Sequence, residues 1–249
     1  MSEFSGEFSN RVALVTGSSS GIGEAIARRL SSLGASVVIN SASSVEAGRR
    51  IAAELGANAL YVQADISDKA AGERLLAATI ERFGKLDILV NNAGWTTVVP
   101  HNDLAALTDE IFARTFDINV TGTWMLTKAA MPHLMRSEDG NVINITSIAG
   151  VRPVGSSIAY SMAKAALNQM TRLLAKSCAP VRVNAVAPGL VETPWTKDWQ
   201  AQHEGVKARA PLKRSATPDD CVEAALGLLR TRYATGHIFV VDGGLTLAV

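Results

Sequence analysis

The stretch VALVTGSSSGIG, residues 12–23, decides the fold class, because an apolar run leads into a glycine-rich turn and then into a helical pattern. Glycine lacks a Cβ, so a backbone built on Gly17, Gly21 and Gly23 can turn tightly and approach a phosphate group closely. A helix that begins at such a turn offers unpaired N–H groups and a partial positive charge to an anion. The spacing Gly-x-x-x-Gly-x-Gly differs from the G-x-G-x-x-G of many dinucleotide-binding folds, and a simple tight turn is the alternative. Its place after the first strand of an alternating chain favours a nucleotide site.

Short apolar runs alternate with longer helical patterns along the rest of the chain. Predicted strands cover residues 12–16, 37–40, 60–63, 86–90, 142–146, 181–186 and 237–241. Predicted helices cover about 22–33, 44–55, 69–83, 103–135 with a break near Asn119, 158–178 and 218–230. The strand runs are continuously apolar, which is typical of strands buried on both faces of a parallel sheet. We therefore predict an α/β fold: a single doubly wound Rossmann-type domain, with a mostly parallel seven-stranded sheet and helices on both faces.

Two segments interrupt this alternation, at 95–103 and at about 190–217. Long irregular segments in a compact α/β domain are commonly binding loops, so we predict that 190–217 forms a substrate lid. Residues 1–10 are polar and are predicted to form a flexible leader. No internal repeat or linker divides the sequence, so residues 1–249 are predicted to form one domain.

Composition argues against several classes of function. The 249 residues carry a formal net charge of +1 with no block of one sign, so neither a nucleic-acid partner nor a membrane surface is expected. No apolar run reaches the ~18 residues of a membrane span, and the polar start is unlike a secretory signal. The two distant cysteines form no motif, which favours reduced thiols in the cytoplasm over a disulfide. The histidines lack metal-site spacing, so no metal is predicted.

The end of the second predicted strand bears on which dinucleotide is bound. A carboxylate there would accept hydrogen bonds from the adenosine ribose of NAD and would repel the 2′-phosphate of NADP. Instead the chain has Asn40, Ser41 and Ser43, with no acid before Glu46. This neutral, hydroxyl-rich end favours NADP(H) over NAD(H), although no Arg or Lys lies in the immediate loop. A merely polar turn that accepts either cofactor is the alternative.

The stretch IAYSMAK, residues 158–164, places Tyr160 four positions before Lys164. At that spacing both side chains lie on one face of a helix. By itself the pair indicates no more than two neighbours on a surface helix.

Taken together, these motifs resemble those of the short-chain dehydrogenase/reductase family. They follow the family's order: TGSSSGIG at 16–23, NNAG at 91–94, Ser147, YSMAK at 160–164, and the pair Pro188 and Gly189. The match runs from about Arg11 to Gly244, and the length is that of the compact single-domain branch. The resemblance implies an NAD(P)(H)-dependent oxidoreductase that interconverts a carbonyl and a secondary alcohol. Within the compact branch, the tail of the sequence looks most like 3-oxoacyl-thioester reductases and polyol or sugar dehydrogenases, and a 3-oxoacyl-thioester reductase is the leading expectation.

Two other functions stay open. One is a sugar, polyol or cyclic alcohol dehydrogenase that uses NAD. The other, more remote, is a non-catalytic dinucleotide-binding regulator, since one fold can serve several functions.

The resemblance also implies a catalytic tetrad of Asn119, Ser147, Tyr160 and Lys164. Tyr160 would act as the general acid or base, and Ser147 would hydrogen-bond the substrate oxygen. Lys164 would hold the nicotinamide ribose and lower the pKa of the phenol, since an opposite charge within ~4–6 Å can lower a pKa by about 1–3 units. Asn119 would distort its helix and hold a water that links Lys164 to solvent.

The remaining contacts are likewise implied by the resemblance. The cofactor contacts are Gly17, Ser19, Ser20, Gly21, Ile22, Gly23, Asn40, Ser41, Ser43, Asp65, Ile66, Asn92, Ala93, Gly94, Tyr160, Lys164, Pro188, Gly189, Val191 and Thr193. The substrate contacts are Trp95, Val154, Trp195 and Trp199, although the last two could equally cover the core. Relatives are commonly homotetramers that pack helices 103–135 and 158–178 between subunits, so a cytoplasmic homotetramer acting on a small carbonyl or alcohol is expected.

Overall fold

The structure, a computed structural model, describes residues 6–248. Its strands form one sheet and are β1 (Val12–Val15), β2 (Ser36–Ser41), β3 (Ala59–Gln63), β4 (Ile88–Asn91), β5 (Asn141–Ile145), β6 (Arg182–Pro188) and β7 (Ile238–Val241). Their order across the sheet is β3-β2-β1-β4-β5-β6-β7. Every pairing is parallel. The predicted doubly wound α/β fold is confirmed, and the sheet is parallel throughout rather than mostly so.

Helices cover both faces of this sheet and are α1 (Gly21–Ser32), α2 (Val45–Leu55), α3 (Lys69–Phe83), α4 (Asp109–Phe116), α5 (Thr123–Leu134), α6 (Ile158–Ser177), α7 (Gln200–Arg209) and α8 (Pro218–Arg230). Successive residues of β1 face opposite layers. Ala13 and Val15 pack with Ile26 of α1, whereas Leu14 packs on the other face with Leu75 of α3. Burial on both faces explains the continuous apolar runs, and each fully buried leucine contributes about 2 kcal/mol to stability.

The strand order reverses at β1: β2 and β3 are added on one side of it, and β4 to β7 on the other. Leu14 of β1 lies opposite Val38 of β2 on one side and Leu89 of β4 on the other. The chain leaves these strands toward different faces, so a crevice opens beyond the carboxyl ends of β1 and β4. The candidate functional residues gather along that edge.

The predicted flexible leader differs from the structure where the structure describes it. Residues 6–10 form turns, and Phe8 is buried in the layer that contains α1. The Phe8 N–H donates to the Leu33 carbonyl at 2.8 Å, and the Glu7 carboxylate pairs with Arg230 at 2.8 Å. Two phenylalanines in a polar segment of ten residues are too few to show a strand or helix period, which is why the sequence did not predict this packing. Residues 1–5 of the predicted leader lie outside the described residues.

The segment 190–217 also contains structure that the sequence did not predict, because it includes α7. Its two ends meet in a parallel bridge between Val191 and Ala216. The Glu192 N–H donates to the Ala216 carbonyl at 2.8 Å, and the Ala216 N–H donates to the Leu190 carbonyl at 2.9 Å. The two ends of the segment are therefore held together by backbone hydrogen bonds, and the chain between them contains its own helix.

The predicted helix 103–135 begins later, at α4, and is interrupted by a π-helical segment at Asp117–Gly122. The break expected near Asn119 is thus confirmed. Within residues 6–248, no helix is both long enough and apolar enough to span a membrane.

Candidate active site

A cleft of about 1170 Å³ lies along the carboxyl edge of the sheet. It brings together nearly all the sequence-predicted site residues: Gly17, Ser19, Ser20, Gly21, Ile22, Asn40, Ser41, Ser43, Asp65, Ile66, Asn92, Ala93, Gly94, Trp95, Ser147, Val154, Tyr160, Lys164, Pro188, Gly189, Val191, Thr193, Trp195 and Trp199. Of the predicted set, Gly23 and Asn119 are buried behind the lining.

The glycine-rich turn has the backbone that its sequence indicates. Gly17 and Gly21 adopt φ angles of +60° and +59°, a left-handed conformation that favours glycine. A Cβ on Gly23 would lie 2.4 Å from Asn92 Nδ2 and 2.6 Å from the Gly17 carbonyl oxygen. No side chain caps the start of α1 among the described residues, and Gly21 and Ile22 at that start line the cleft. This bare helix start fits a pyrophosphate.

Thr16 joins the glycine turn to the NNAG turn, a role that the sequence analysis did not assign. Its Oγ1 accepts hydrogen bonds from the N–H groups of Asn92 and Ala93, each at 3.0 Å. In turn, the side-chain Nδ2 of Asn92 donates to the carbonyls of Thr16 at 2.9 Å and Gly17 at 3.0 Å. Asn92 therefore shapes the turn that would hold the dinucleotide.

Asn40 lines the adenosine end of the cleft, but its side chain is already fully engaged. The amide Nδ2 donates to the carbonyls of Val62 at 3.1 Å and Ala64 at 3.0 Å. The Oδ1 atom accepts from the Gly17 N–H at 3.3 Å. Asn40 thus crosslinks β2, the end of β3 and the glycine turn, and its contact with the cofactor stays a prediction.

The hydroxyls beside Asn40 differ in availability. The Ser41 hydroxyl is hydrogen-bonded to the Tyr61 hydroxyl at 2.9 Å, whereas Ser43 is exposed. Asp65 at the end of β3 accepts from the N–H of Ser67 at 2.9 Å and from its hydroxyl at 2.7 Å. Among the described lining residues, this end of the cleft contains no Arg or Lys.

Ser147 and Tyr160 meet at the centre of the cleft. Ser147 follows β5 and caps a short 3₁₀ turn by accepting from the Ala149 N–H at 3.1 Å. Tyr160 lies in the first turn of α6, where Ser157 is the N-cap and accepts the Tyr160 N–H at 3.1 Å. Burial raises the pKa of the Tyr160 phenol to about 12, and a hydrogen bond with the Ser147 hydroxyl partly offsets this rise.

Lys164, one turn along α6, is only 3% exposed. Its Nζ donates to the Ile145 carbonyl at 3.0 Å and lies 5.4 Å from the centre of the Tyr160 ring. Burial lowers the pKa of this ammonium to about 8. Burial is the larger influence on the Tyr160 phenol, so the lowering of its pKa by Lys164 stays a prediction.

Asn119 lies in the π-helical segment and is fully buried. Its Nδ2 donates to the Trp95 carbonyl at 2.7 Å and to the Thr115 carbonyl at 2.8 Å. Its Oδ1 has no hydrogen-bond partner and lies 2.9 Å from where a Cβ on Gly94 would be. Asn119 therefore holds the segment after NNAG in place.

The substrate side of the cleft is bounded by tryptophans and by the lid. The Arg114 guanidinium stacks 4.5 Å from the centre of the Trp95 ring. Trp195 is 49% exposed, so it faces the opening rather than the core. In α7, His203 Nδ1 is 2.7 Å from the Ser215 hydroxyl, which ties the lid helix to the lid's end.

Sequence reasoning missed several residues that line this side. Three arginines, the loop residue Thr96 and the C-terminal segment belong to this group: Arg114, Arg152, Arg209, Thr96, Leu245, Thr246 and Ala248. No local pattern identifies them, because they reach the cleft from separate parts of the chain.

The centre of the cleft holds a proton donor (Tyr160), a second hydroxyl donor (Ser147) and a cation (Lys164), and the glycine-rich turn lies beside them. That arrangement can stabilise and protonate an oxygen that gains negative charge.

Comparison with known proteins agrees with this geometry. A family model described as enoyl-(acyl carrier protein) reductase matches residues 17–246. The chain is 53% identical over 240 residues to a Streptomyces violaceoruber protein named "Granaticin polyketide synthase putative ketoacyl reductase 2", with 95% of this chain and 96% of that protein covered. It is 36% identical over 253 residues to glucose 1-dehydrogenase 2 of Bacillus subtilis, with coverages of 97% and 96%. A crystal structure of 3-ketoacyl-(acyl-carrier-protein) reductase from Brucella melitensis complexed with NADH matches with a TM-score of 0.90 at 34% identity, covering 96% of this chain and 99% of that one.

Proposed function

The chain belongs to the short-chain dehydrogenase/reductase family, whose members act on CH–OH groups with NAD(P), and from that premise we propose that it reduces a 3-oxoacyl thioester to the 3-hydroxyacyl thioester. The observation that carries the proposal is the meeting of Ser147, Tyr160 and Lys164 beside the glycine turn, in one cleft with apolar outer walls. The name of the S. violaceoruber relative, a ketoacyl reductase, supports the same substrate class.

The roles of these side chains follow from their environment. When bound, the nicotinamide supplies the hydride that the carbonyl carbon accepts. Tyr160 donates its proton to the substrate oxygen as that oxygen becomes negative, and Ser147 hydrogen-bonds the same oxygen. A phenol with a pKa of about 12 is protonated at neutral pH, so it is ready to act as an acid.

The walls of the cleft favour an acyl chain over a sugar. Val98, Val154 and Trp195 are 50%, 38% and 49% exposed and line the substrate side. Apolar groups of an acyl chain would be removed from water against these side chains, a gain that a polyol would not make there. Glucose oxidation, the activity that the B. subtilis relative's name describes, is the second candidate.

A substrate screen distinguishes these activities. Purified protein is assayed with 3-oxoacyl thioesters, cyclic ketones, sugars and polyols, each with NADPH or NADH for reduction and NADP or NAD for oxidation. We expect the highest kcat/KM for a 3-oxoacyl thioester. Tyr160→Phe should lower kcat by at least about 10²-fold while retaining cofactor binding. Sugar oxidation as the best reaction would refute the thioester proposal, and full activity of Tyr160→Phe would refute the role of the phenol.

We also propose that NADPH is preferred to NADH. Support comes from the exposed Ser43 and from the N-terminus of α2, where no side chain caps the helix at Ser44 among the described residues. Backbone N–H groups at such a helix start attract an anion such as the 2′-phosphate. Ser43→Asp should then raise the KM for NADPH at least about tenfold and leave that for NADH nearly unchanged, through repulsion of the phosphate. Equal effects on both cofactors would contradict this preference.

A homotetramer is proposed as the assembly. Trp124 on α5 and Met162 and Leu173 on α6 are 44%, 48% and 56% exposed, an apolar set on the two helices expected between subunits. Size-exclusion chromatography with light scattering should give four times the monomer mass, and a stable monomer would contradict the proposal.

A further inference from the structure

Three arginines from separate elements line the substrate side of the cleft. Arg114 belongs to α4, Arg152 lies in the loop that follows Ser147, and Arg209 is the last residue of α7 in the lid. All three are exposed at the cleft rather than buried within the fold. The cleft is therefore bordered by guanidinium groups on the catalytic loop, on the lid and beside Trp95.

None of these three guanidinium groups has a carboxylate partner among residues 6–248. Arg114 lies over the Trp95 ring, and Arg209 uses only its Nε, donating to the Gly205 carbonyl at 3.1 Å. Among residues 6–248, other exposed arginines such as Arg74 and Arg172 also lack a carboxylate partner, so what distinguishes the three at the cleft is that they line one cavity. The arginines of the cleft keep most of their N–H donors available.

The acid that lines the cleft lies at its other end. Asp65 follows β3 at the adenosine end, and its Oδ1 is occupied by Ser67. The substrate side thus holds three positive charges and no carboxylate among the described lining residues. Because the three side chains are exposed, salt screens them, and their attraction for an anion is strongest at low ionic strength.

We propose that Arg114, Arg152 and Arg209 form an oxyanion subsite that binds a negatively charged group on the substrate, remote from the carbonyl that is reduced. The inference deepens the proposed function and rests on the thioester substrate named there. Two parts of such a substrate could carry the charge: the phosphate of a phosphopantetheine arm on the sulfur side, or a carboxylate at the far end of the acyl chain. Both present oxygens that guanidinium groups bind through paired N–H donors.

The geometry assigns a positioning function to this subsite. Arg152 is five residues from Ser147, and Arg209 is carried by the lid helix, so an anion between them would connect the catalytic loop to the lid. A stacked guanidinium such as that of Arg114 is fixed in plane by its ring, and this leaves its N–H edge oriented. Binding the anion should therefore place the carbonyl near Tyr160 and lower KM for charged substrates.

The test compares three thioesters of matched acyl length. One is a neutral N-acetylcysteamine thioester, the second carries the same acyl group on phosphopantetheine, and the third is an N-acetylcysteamine thioester with a terminal carboxylate. At low salt we expect one charged substrate to exceed the neutral one in kcat/KM by at least about tenfold, the effect of one charge-assisted contact. Added salt should reduce this ratio.

Variants then connect the ratio to the arginines. Arg152→Gln and Arg209→Gln should each lower the charged-to-neutral ratio several-fold, and the double variant should bring it close to one. Arg74→Gln is the matched control, because Arg74 is exposed on α3 away from the cleft and loses the same charge. The control should keep the wild-type ratio.

Several outcomes would overturn the proposal. Equal kcat/KM for neutral and charged thioesters would refute the subsite while leaving the thioester function intact. If the double variant kept the wild-type ratio of kcat/KM for charged and neutral thioesters, the assignment to these arginines would be refuted. The same would follow if the arginine variants raised only the KM for NADPH. Failure of every thioester, with turnover of other ketones, would instead refute the proposed function.

Discussion

Replacing Lys164 by Met tests the electrostatic description of the active site through the stability of the fold. Burial lowers the pKa of Lys164 from 10.5 to about 8. A shift of that size corresponds to a cost of about 3 kcal/mol for keeping the folded chain protonated at neutral pH. Methionine has a similar shape and no charge, and it loses only the bond to the Ile145 carbonyl, which is worth about 1 kcal/mol. We therefore expect Lys164→Met to be inactive but more stable by about 2 kcal/mol near pH 7.

The pH dependence of this gain has a definite sign. Because the folded-state pKa is the lower one, both states are protonated below about pH 8 and the full cost is present. Between about pH 8 and 10.5 the folded protein releases the proton while the unfolded chain keeps it, so the wild type gains stability relative to the variant. The advantage of Lys164→Met should thus be largest at neutral pH and should disappear as the pH rises through that window.

Thermal unfolding at several pH values measures the effect. A gain of about 2 kcal/mol corresponds to roughly 4–8 °C in Tm for a chain of this length. Lys176→Met is the matched control, since Lys176 lies exposed near the end of the same helix and should change stability by less than about 0.5 kcal/mol. A less stable Lys164→Met protein at neutral pH, or a difference that stays constant up to about pH 10, would refute the reasoning.

Three further substitutions test separate contacts. Gly23→Ala should weaken NADPH binding about tenfold in a fluorescence titration, because its Cβ would lie 2.4 Å from Asn92 Nδ2; an unchanged dissociation constant would contradict the close contact. Asn119→Ala loses two donated hydrogen bonds, one to the Trp95 carbonyl, and should lower the free energy of unfolding in urea by about 2 kcal/mol. Phe8→Ala should lower it by about 3 kcal/mol, because the ring is buried; a loss below about 0.5 kcal/mol would mean that this segment is not packed in solution.

Features with a local physical cause could be predicted from the sequence. The continuous apolar runs predicted a parallel sheet because both faces of each strand are buried. The glycines at 17 and 21 predicted the turn because only glycine readily takes their positive φ angles. Asn119 was placed at a helix break, and the π-helical segment is where its amide replaces regular helical contacts.

Features that depend on distant neighbours could not be predicted. Helix α7 has no strong apolar period, and it is positioned by contacts such as that between His203 and Ser215. The crosslink made by Asn40 was also not predictable, because its amide donates to carbonyls that only the folded sheet brings near. The expected effect of Lys164 on Tyr160 came from their spacing, whereas the pKa values depend on how deeply both side chains are buried.

The closed base of the lid has a consequence for how such a protein can diversify. Because Val191 and Ala216 lie side by side, the intervening chain leaves the scaffold and returns to nearly the same point. A segment anchored in this way can be shortened, lengthened or exchanged at a small entropic cost, since each doubling of loop length costs only about 0.6 kcal/mol. The sheet, the glycine turn and the Ser147–Tyr160 pair lie outside the segment between Val191 and Ala216. Exchanging this segment would replace Trp195 and Arg209 on the substrate side while leaving Ser147 and Tyr160 in place.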